Sequence, residues 1–249
     1  MKKIGIVGGV GWQSTAQYYS ELCRRSERWH VAANLPGVPS TPEISIESLN
    51  LATAISYLGS DDDERSWSQF DDYHRAALMR LQLSGVDFAL IASNTPHHRF
   101  DAITRGAQVP VISIVDAVAR KSALIGARQV LLLGTALTMR SLQFRKQFAR
   151  YGVEAAGPDD EAIEAMTIEL VAELQLGRTE GASDQLVEIV RRCFAAQVAR
   201  RPIVCLACTE LPLAFETMKT LAVFECDGIL FINSTTVHID AAFDVAIGR

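Results

Sequence analysis

The feature that most constrains this chain is an alternation of short, almost wholly apolar runs with longer amphipathic stretches. The apolar runs are Lys3–Val7, Glu43–Glu47, Phe88–Ala92, Val111–Ile114, Gln129–Leu133, Val153–Ala156, Ile203–Ala207 and Ile229–Ile232. Strands that are apolar at nearly every position are those covered by helices on both faces. Helical periodicity fills the gaps over Thr15–Arg28, Asp72–Ser84, Asp116–Leu124, Arg140–Tyr151, Asp160–Leu176, Ser183–Ala199 and His238–Ile247. Such alternation predicts an α/β fold on parallel, doubly wound sheets.

A weak internal repeat divides the chain. Ile6-Val7-Gly8-Gly9-Val10-Gly11-Trp12-Gln13-Ser14-Thr15 ends one strand and leads into a helix, and Leu132-Leu133-Gly134-Thr135-Ala136-Leu137-Thr138-Met139-Arg140-Ser141 does the same later. Leu90-Ile91-Ala92-Ser93-Asn94-Thr95-Pro96-His97 pairs likewise with Cys205-Leu206-Ala207-Cys208-Thr209-Glu210-Leu211-Pro212. Ligands of open α/β sheets bind at strand C-terminal ends. Two similar lobes facing one another are therefore expected to bring all four turns to one cleft. The repeat places one lobe at residues 1–115 plus 225–249 and the other at 116–224.

With 249 residues the chain is long enough to bury a core without staples. Its 24 basic and 29 acidic residues leave a formal charge of −5, and its isoelectric point is near 5.6. That balance argues against partners such as nucleic acid or an anionic membrane surface. No apolar run approaches the ~20 residues of a membrane span. The Met1–Gly9 segment is too short and glycine-punctuated for a signal peptide and reads as a strand entering a turn. Five cysteines, an odd number in apolar or helical context, point to a cytoplasmic protein without disulfides. The acidic run Asp61-Asp62-Asp63-Glu64 reads as a solvated loop before a helix, with no metal needed to explain it.

Cys208 is the leading candidate for chemistry. It stands at the end of the run Ile203–Ala207, where the start of a following helix would stabilise a thiolate. The competing reading is a small buried hydrophobe. Cys205 and Cys208 share a C-x-x-C spacing, but without a second pair or a nearby histidine a zinc site is not expected. Ser93-Asn94-Thr95-Pro96-His97 holds the mirror position. Asn94 and Thr95 there suit either a carboxylate cradle or a plain turn stopped by Pro96. Gly8-Gly9-Val10-Gly11 fits neither nucleotide-binding glycine pattern. His238 reads as an acid, a carboxylate partner or a residue of a helix start capped by Ser234 or Thr235.

Taken together these residues resemble the aspartate/glutamate racemase family. The resemblance is carried by Gly8-Gly9-Val10-Gly11-Trp12-Gln13-Ser14-Thr15, Ser93-Asn94-Thr95-Pro96-His97, Gly134-Thr135-x-x-Thr138-Met139, Cys208-Thr209-Glu210-Leu211-Pro212 and Thr235-Thr236-Val237-His238. These motifs follow the family's order and span nearly the whole chain. The resemblance implies two pseudo-symmetric Rossmann-like lobes, a homodimer, no cofactor and an active site in the cleft between the lobes. In that family two opposed thiols exchange the α-proton of a dicarboxylic amino acid. It also implies that Cys208 and Ser93 are the catalytic pair, and that Ser14, Thr15, Asn94, Thr95, Thr135, Thr138, Thr209 and His238 bind or support the substrate.

The chain departs from the family where the chemistry lies. The family's first cysteine is here Ser93, while its second matches Cys208. Certain aspartate racemases carry an arginine after the second strand, where this chain reads Glu47-Ser48-Leu49-Asn50. Racemisation without a cofactor needs a base on one face of Cα and an acid on the other, and a serine hydroxyl is far poorer at both than a thiol. The expected activity is therefore racemase-like proton exchange on aspartate, glutamate or a related small carboxylate. The alternatives are a one-cysteine decarboxylase or lyase that forms an enediolate, and a carboxylate-binding protein without turnover.

Overall fold

The apolar runs become strands and the periodic stretches become helices, in two compact units. The computed structural model describes residues 1–195 and 201–249. Unit 1 comprises Met1–Ser113 and His238–Arg249, and unit 2 comprises Ile114–Val237.

Unit 1 contains β1 (Ile4–Gly8), α1 (Trp12–Ala32), β2 (Ile44–Ser48), α2 (Leu51–Ser56), α3 (Ser68–Leu83), β3 (Phe88–Ile91), α4 (Phe100–Ile103) and β4 (Val111–Ile112). Its sheet has the order β2-β1-β3-β4, parallel throughout. Unit 2 contains α5 (Ile114–Leu124), β5 (Gln129–Gly134), α6 (Ala136–Arg140), α7 (Leu142–Ala149), β6 (Glu154–Ala156), α8 (Glu161–Gln175), α9 (Ala182–Cys193), β7 (Ile203–Ala207), β8 (Val223–Cys226) and β9 (Ile229–Asn233). Its sheet has the order β6-β5-β7-β9-β8, and only β8 runs antiparallel. The final helix α10 (Ser234–Ala246) starts in unit 2 and ends in unit 1.

Burial explains the continuous apolar runs. In unit 1, Ile4, Ile6, Phe88 and Leu90 pack on Tyr18 and Leu22 of α1 and on Ile239, Ala242 and Phe243 of α10. In unit 2 the alternation along β7 serves two cores. Val204 and Leu206 join the cluster with α8 and α9, while Cys205 and Ala207 join the one with α5 and α7. The sheet is thus covered on both faces, as its composition predicts.

Three expectations need correction. The chain passes back to unit 1 at residues 237/238, not near 225, because β9 pairs with β7 and β8 pairs with β9. The whole Val223–Asn233 hairpin therefore extends the second sheet. The stretch Arg140–Tyr151 is not one helix. Ser141, with φ −62° and ψ 116°, breaks it, and its side chain accepts from Phe144 N–H to start α7. The helix expected over Ser183–Ala199 ends at Cys193, and residues 196–199 of that stretch lie outside the described residues. Among the described residues no helix is long and apolar enough to cross a membrane.

Candidate active site

In unit 1 the strand ends are held together by glycine geometry. Gly9 has φ +84°, and a Cβ there would lie 2.0 Å from the Leu49 carbonyl oxygen. A Cβ on Gly8 would meet the Thr15 side chain at 2.5 Å. Only glycine allows both approaches. The Thr15 hydroxyl fills that space, accepting from Gly9 N–H at 2.9 Å and donating to Gly11 O at 3.2 Å. Ser14 is buried and donates to Ala92 O at 2.9 Å, fixing the β1–α1 turn against the residue that precedes Ser93. Ser14 and Thr15 thus first serve the protein's own backbone.

Ser93 and Thr95 are half-buried and Asn94 is buried, at the C-terminal end of β3. A short 3₁₀ turn, Thr95–Arg99, follows with Pro96 in its first turn. His97 is fully buried and its Nδ1–H donates to Ser93 O at 2.8 Å, which pins the turn from below. The acidic run is exposed, as expected, and its side chains also reach the segment that follows Ser93. Asp61 accepts from His98 Nε2 at 2.7 Å, and Glu64 and the buried Asp71 together grip the Arg99 guanidinium under the Trp67 ring. Asp63 caps its own 3₁₀ turn at Arg65 N–H. The loop therefore clamps the segment that carries Ser93. Asn50, in the stretch that lacks the family's arginine, caps α2 by accepting from Thr53 N–H at 3.0 Å.

His238 is fully buried, with both ring nitrogens engaged. A carbonyl only accepts, so Nε2–H donates to Ile112 O at 3.0 Å and Nδ1 accepts from Tyr18 Oη at 2.8 Å. Burial pushes its pKa down to about 4, and that of His97 to about 3. The expected substrate contact at His238 is replaced by a structural one: the ring fastens α10 to β4 and α1 and offers no nitrogen to a ligand.

In unit 2 a glycine again sets the geometry. Gly134 pairs with Ala207, and a Cβ on it would sit 2.5 Å from Ala207 O and 3.5 Å from Cys208 N. The Gly134-Thr135 turn and Cys208 are thereby neighbours at the C-terminal ends of β5 and β7. Thr135 caps α6, its Oγ1 lying 3.1 Å from Thr138 Oγ1. Thr138 is fully buried and Thr135 half-buried. Cys208 is buried, and its Sγ–H donates to Glu210 Oε2 at 2.9 Å. The Thr209 hydroxyl donates to the same oxygen, also at 2.9 Å.

The Cys208 thiol differs from its expected state. Burial, then the Glu210 charge and the hydrogen bond to it, push the thiol well above its ordinary range, while the N–H groups of Glu210 and Thr209 pull it back less. The following element is a four-residue 3₁₀ turn, Leu211–Ala214, and not the α-helix whose start would favour a thiolate. Glu210 is the functional candidate that motif reading passed over. The signal was present as a carboxylate two residues beyond the cysteine, in a turn otherwise made of small polar and apolar residues. Of the expected site residues, Ser14, Thr15, Ser93, Asn94, Thr95 and His238 lie in unit 1, and Thr135, Thr138, Cys208 and Thr209 in unit 2.

Known proteins give this geometry its family. The model of the Asp/Glu/hydantoin racemase family matches residues 7–242. A broad specificity amino-acid racemase of Bacillus subtilis is 23% identical over 219 residues, covering 87% of this chain and 89% of that protein. The crystal structure of an aspartate racemase homologue from Pyrococcus horikoshii superimposes with a TM-score of 0.75 at 28% identity, covering 99% of this chain and all of that one. An aspartate racemase from Picrophilus torridus shares the fold, with a TM-score of 0.71 at 19% identity over 99% and 94% of the two chains. The chain belongs to the Asp/Glu/hydantoin racemase family.

Proposed function

We propose that this protein is an amino-acid racemase that exchanges the Cα proton of aspartate, glutamate or a related small carboxylate, without pyridoxal phosphate or a metal. The observation that carries the reading is Cys208, a buried thiol at a strand C-terminal end beside the Gly134-Thr135 turn. A thiol there can take and return a proton at a carbon acid, the step that cofactor-free racemisation requires. Ser93 occupies the equivalent strand end of the other half and serves the opposite face. Ser14, Thr15, Asn94, Thr95, Thr135, Thr138 and Thr209 supply hydroxyl, amide and backbone donors for the substrate carboxylates. His238 acts indirectly, by holding α10 in place. The family resemblance supports a homodimer working in the cytoplasm.

A second reading is favoured by one residue. With Ser93 where the family has a thiol, a single thiol remains, which suffices to protonate an enediolate after decarboxylation. One assay separates the readings: protein in D₂O with L- and D-aspartate, L- and D-glutamate and substituted malonates. Cα deuterium with loss of optical activity supports the racemase. Release of CO₂ supports the decarboxylase. Binding without either supports a carboxylate-binding protein.

A further inference from the structure

Between the end of β3 at Ile91 and the start of β4 at Val111 the chain runs through short pieces, the 3₁₀ turn Thr95–Arg99 and the four-residue α4. One helical turn does not offset the entropy of fixing it, so such pieces take their shape from what they touch. This connection opens with Ser93-Asn94-Thr95, the residues that the proposed reaction needs in one place. Contacts from residues 61–75 hold its far end. Asp61 reaches His98, and Arg75 Nη2–H donates to Ala102 O at 2.8 Å. The Arg99 fork takes two carboxylates. Asp71 accepts from Nε and Nη2 at 3.1 and 2.7 Å, and Glu64 from Nη1 and Nη2 at 2.8 and 2.6 Å.

Exposed ion pairs contribute little, because water screens them and long side chains lose freedom in forming them. This one has a different geometry. The Arg99 and Asp71 side chains are only 12% and 8% exposed, and the guanidinium carbon lies 5.5 Å from the centre of the Trp67 ring. Trp67 is itself buried, and its Nε1–H donates to Ser60 O at 3.0 Å, so the acidic loop is anchored where it meets Arg99. A single carboxylate would balance the Arg99 charge. Two, each bidentate, also fix the plane and direction of the fork.

We infer that Arg99 is a positioning residue for Ser93: gripped by Asp71 and Glu64, it fixes the end of the 3₁₀ turn, and His97 carries that constraint to the Ser93 carbonyl. This rests on the reading of Ser93 as the group that meets one face of Cα. A misplacement of ~1 Å at a reacting group can cost ~10²-fold in rate. Asp71, Glu64 and Trp67 lie in unit 1 with Ser93, whereas Cys208 lies in unit 2, so the consequence is one-sided. The two enantiomers are equal in free energy, so inversion must slow alike from both and cannot tell the faces apart. Cα exchange can. With Ser93 displaced, the enantiomer whose Cα–H faces Cys208 still trades that proton for solvent deuterium and regains it on the same face. The enantiomer whose Cα–H faces Ser93 does not.

The test uses the full chain with Arg99→Lys, which keeps the charge and loses the fork. Cα exchange and inversion are followed in D₂O from each enantiomer of whichever amino acid the wild type racemises. Exchange from one enantiomer is expected to fall by ~10²-fold relative to the other, with inversion slowed equally from both. A general loss of stability would slow exchange from both enantiomers alike, and that result overturns the inference. Exchange within about two-fold of wild type from each enantiomer overturns it too. Amide hydrogen exchange of the same variant is the second readout. Faster exchange confined to residues 93–100, with β1 and β7 unchanged, supports the inference. Unchanged protection there, or loosening throughout unit 1, overturns it. Where Arg99→Lys does not fold, Glu64→Gln removes the exposed partner and is read in the same way. If the wild type racemises nothing, the racemase reading fails, and amide exchange alone decides whether Arg99 positions Ser93.

Discussion

At Cys208 the local backbone and the local side chains pull in opposite directions, and the side chains win. Two backbone N–H groups favour the thiolate, but burial and the Glu210 carboxylate oppose it more strongly. Cys23 and Cys226, which are half-buried, and not Cys208, are therefore the residues that iodoacetamide should modify first near neutral pH. Mass spectrometry after limited labelling checks this order. Cys205, pushed up to about 12 by full burial, should be inert on the same timescale. Ser93 carries the complementary prediction. Ser93→Cys restores a thiol of similar shape, and two-way racemisation should rise by ~10²-fold or more if the hydroxyl limits the reaction. Polarimetry from each enantiomer reads the gain, and a fall instead would mean that the hydroxyl is itself the evolved acid–base group. Cys208 and Ser93 were legible as positions, from strand ends followed by small polar residues. The protonation state of Cys208 was not, because it depends on a carboxylate rotamer and on burial, which motif spacing does not encode.

Among the elements, the β5–β7 pair bears most directly on the site. Gly134→Ala would force a methyl group to within 2.5 Å of Ala207 O, against backbone that has no flexible end to yield. Overpacking of this kind costs typically about 1–3 kcal/mol, so the variant should melt lower and lose activity through displacement of Cys208. Thermal denaturation and the exchange assay together test it. The buried histidines around β4 and α10 give the unit an acid sensitivity. His97 and His238 accept protons in the fold only at about 3 and about 4, but in the unfolded chain near the ordinary 6.5. Below that ordinary value the unfolded state binds more protons, so stability is full above it and falls as pH drops towards the folded values. Each histidine contributes on the order of 3 kcal/mol to this loss. The melting temperature should therefore fall between about pH 7 and about pH 4.5, and His238→Gln should show a shallower slope. The sequence showed which segments are strands, because full burial writes itself as unbroken apolar runs. It did not show β8, whose four residues include Glu225 and Cys226 and pair only at a sheet edge. Nor did it show that Arg140 ends one short helix and that the Ser141 hydroxyl caps the next, which starts at Leu142.

At the scale of the whole molecule, an internal repeat in the sequence corresponds to two α/β units, each with a glycine turn and a small-polar turn at the ends of adjacent strands. The first division was readable from the repeat. The second was not, because the antiparallel hairpin of β8 and β9 has no counterpart in the first half and moves the return crossing to 237/238. The central claim is that Cys208 exchanges the Cα proton of an amino acid. The most direct measurement is the proton NMR signal of that Cα–H in D₂O, followed for aspartate and glutamate with wild-type protein and with Cys208→Ser. The account predicts loss of the signal with wild type, starting from either enantiomer, and none above background with Cys208→Ser. Equal loss with both proteins, or CO₂ release from a substituted malonate with no Cα exchange in any amino acid, would contradict it.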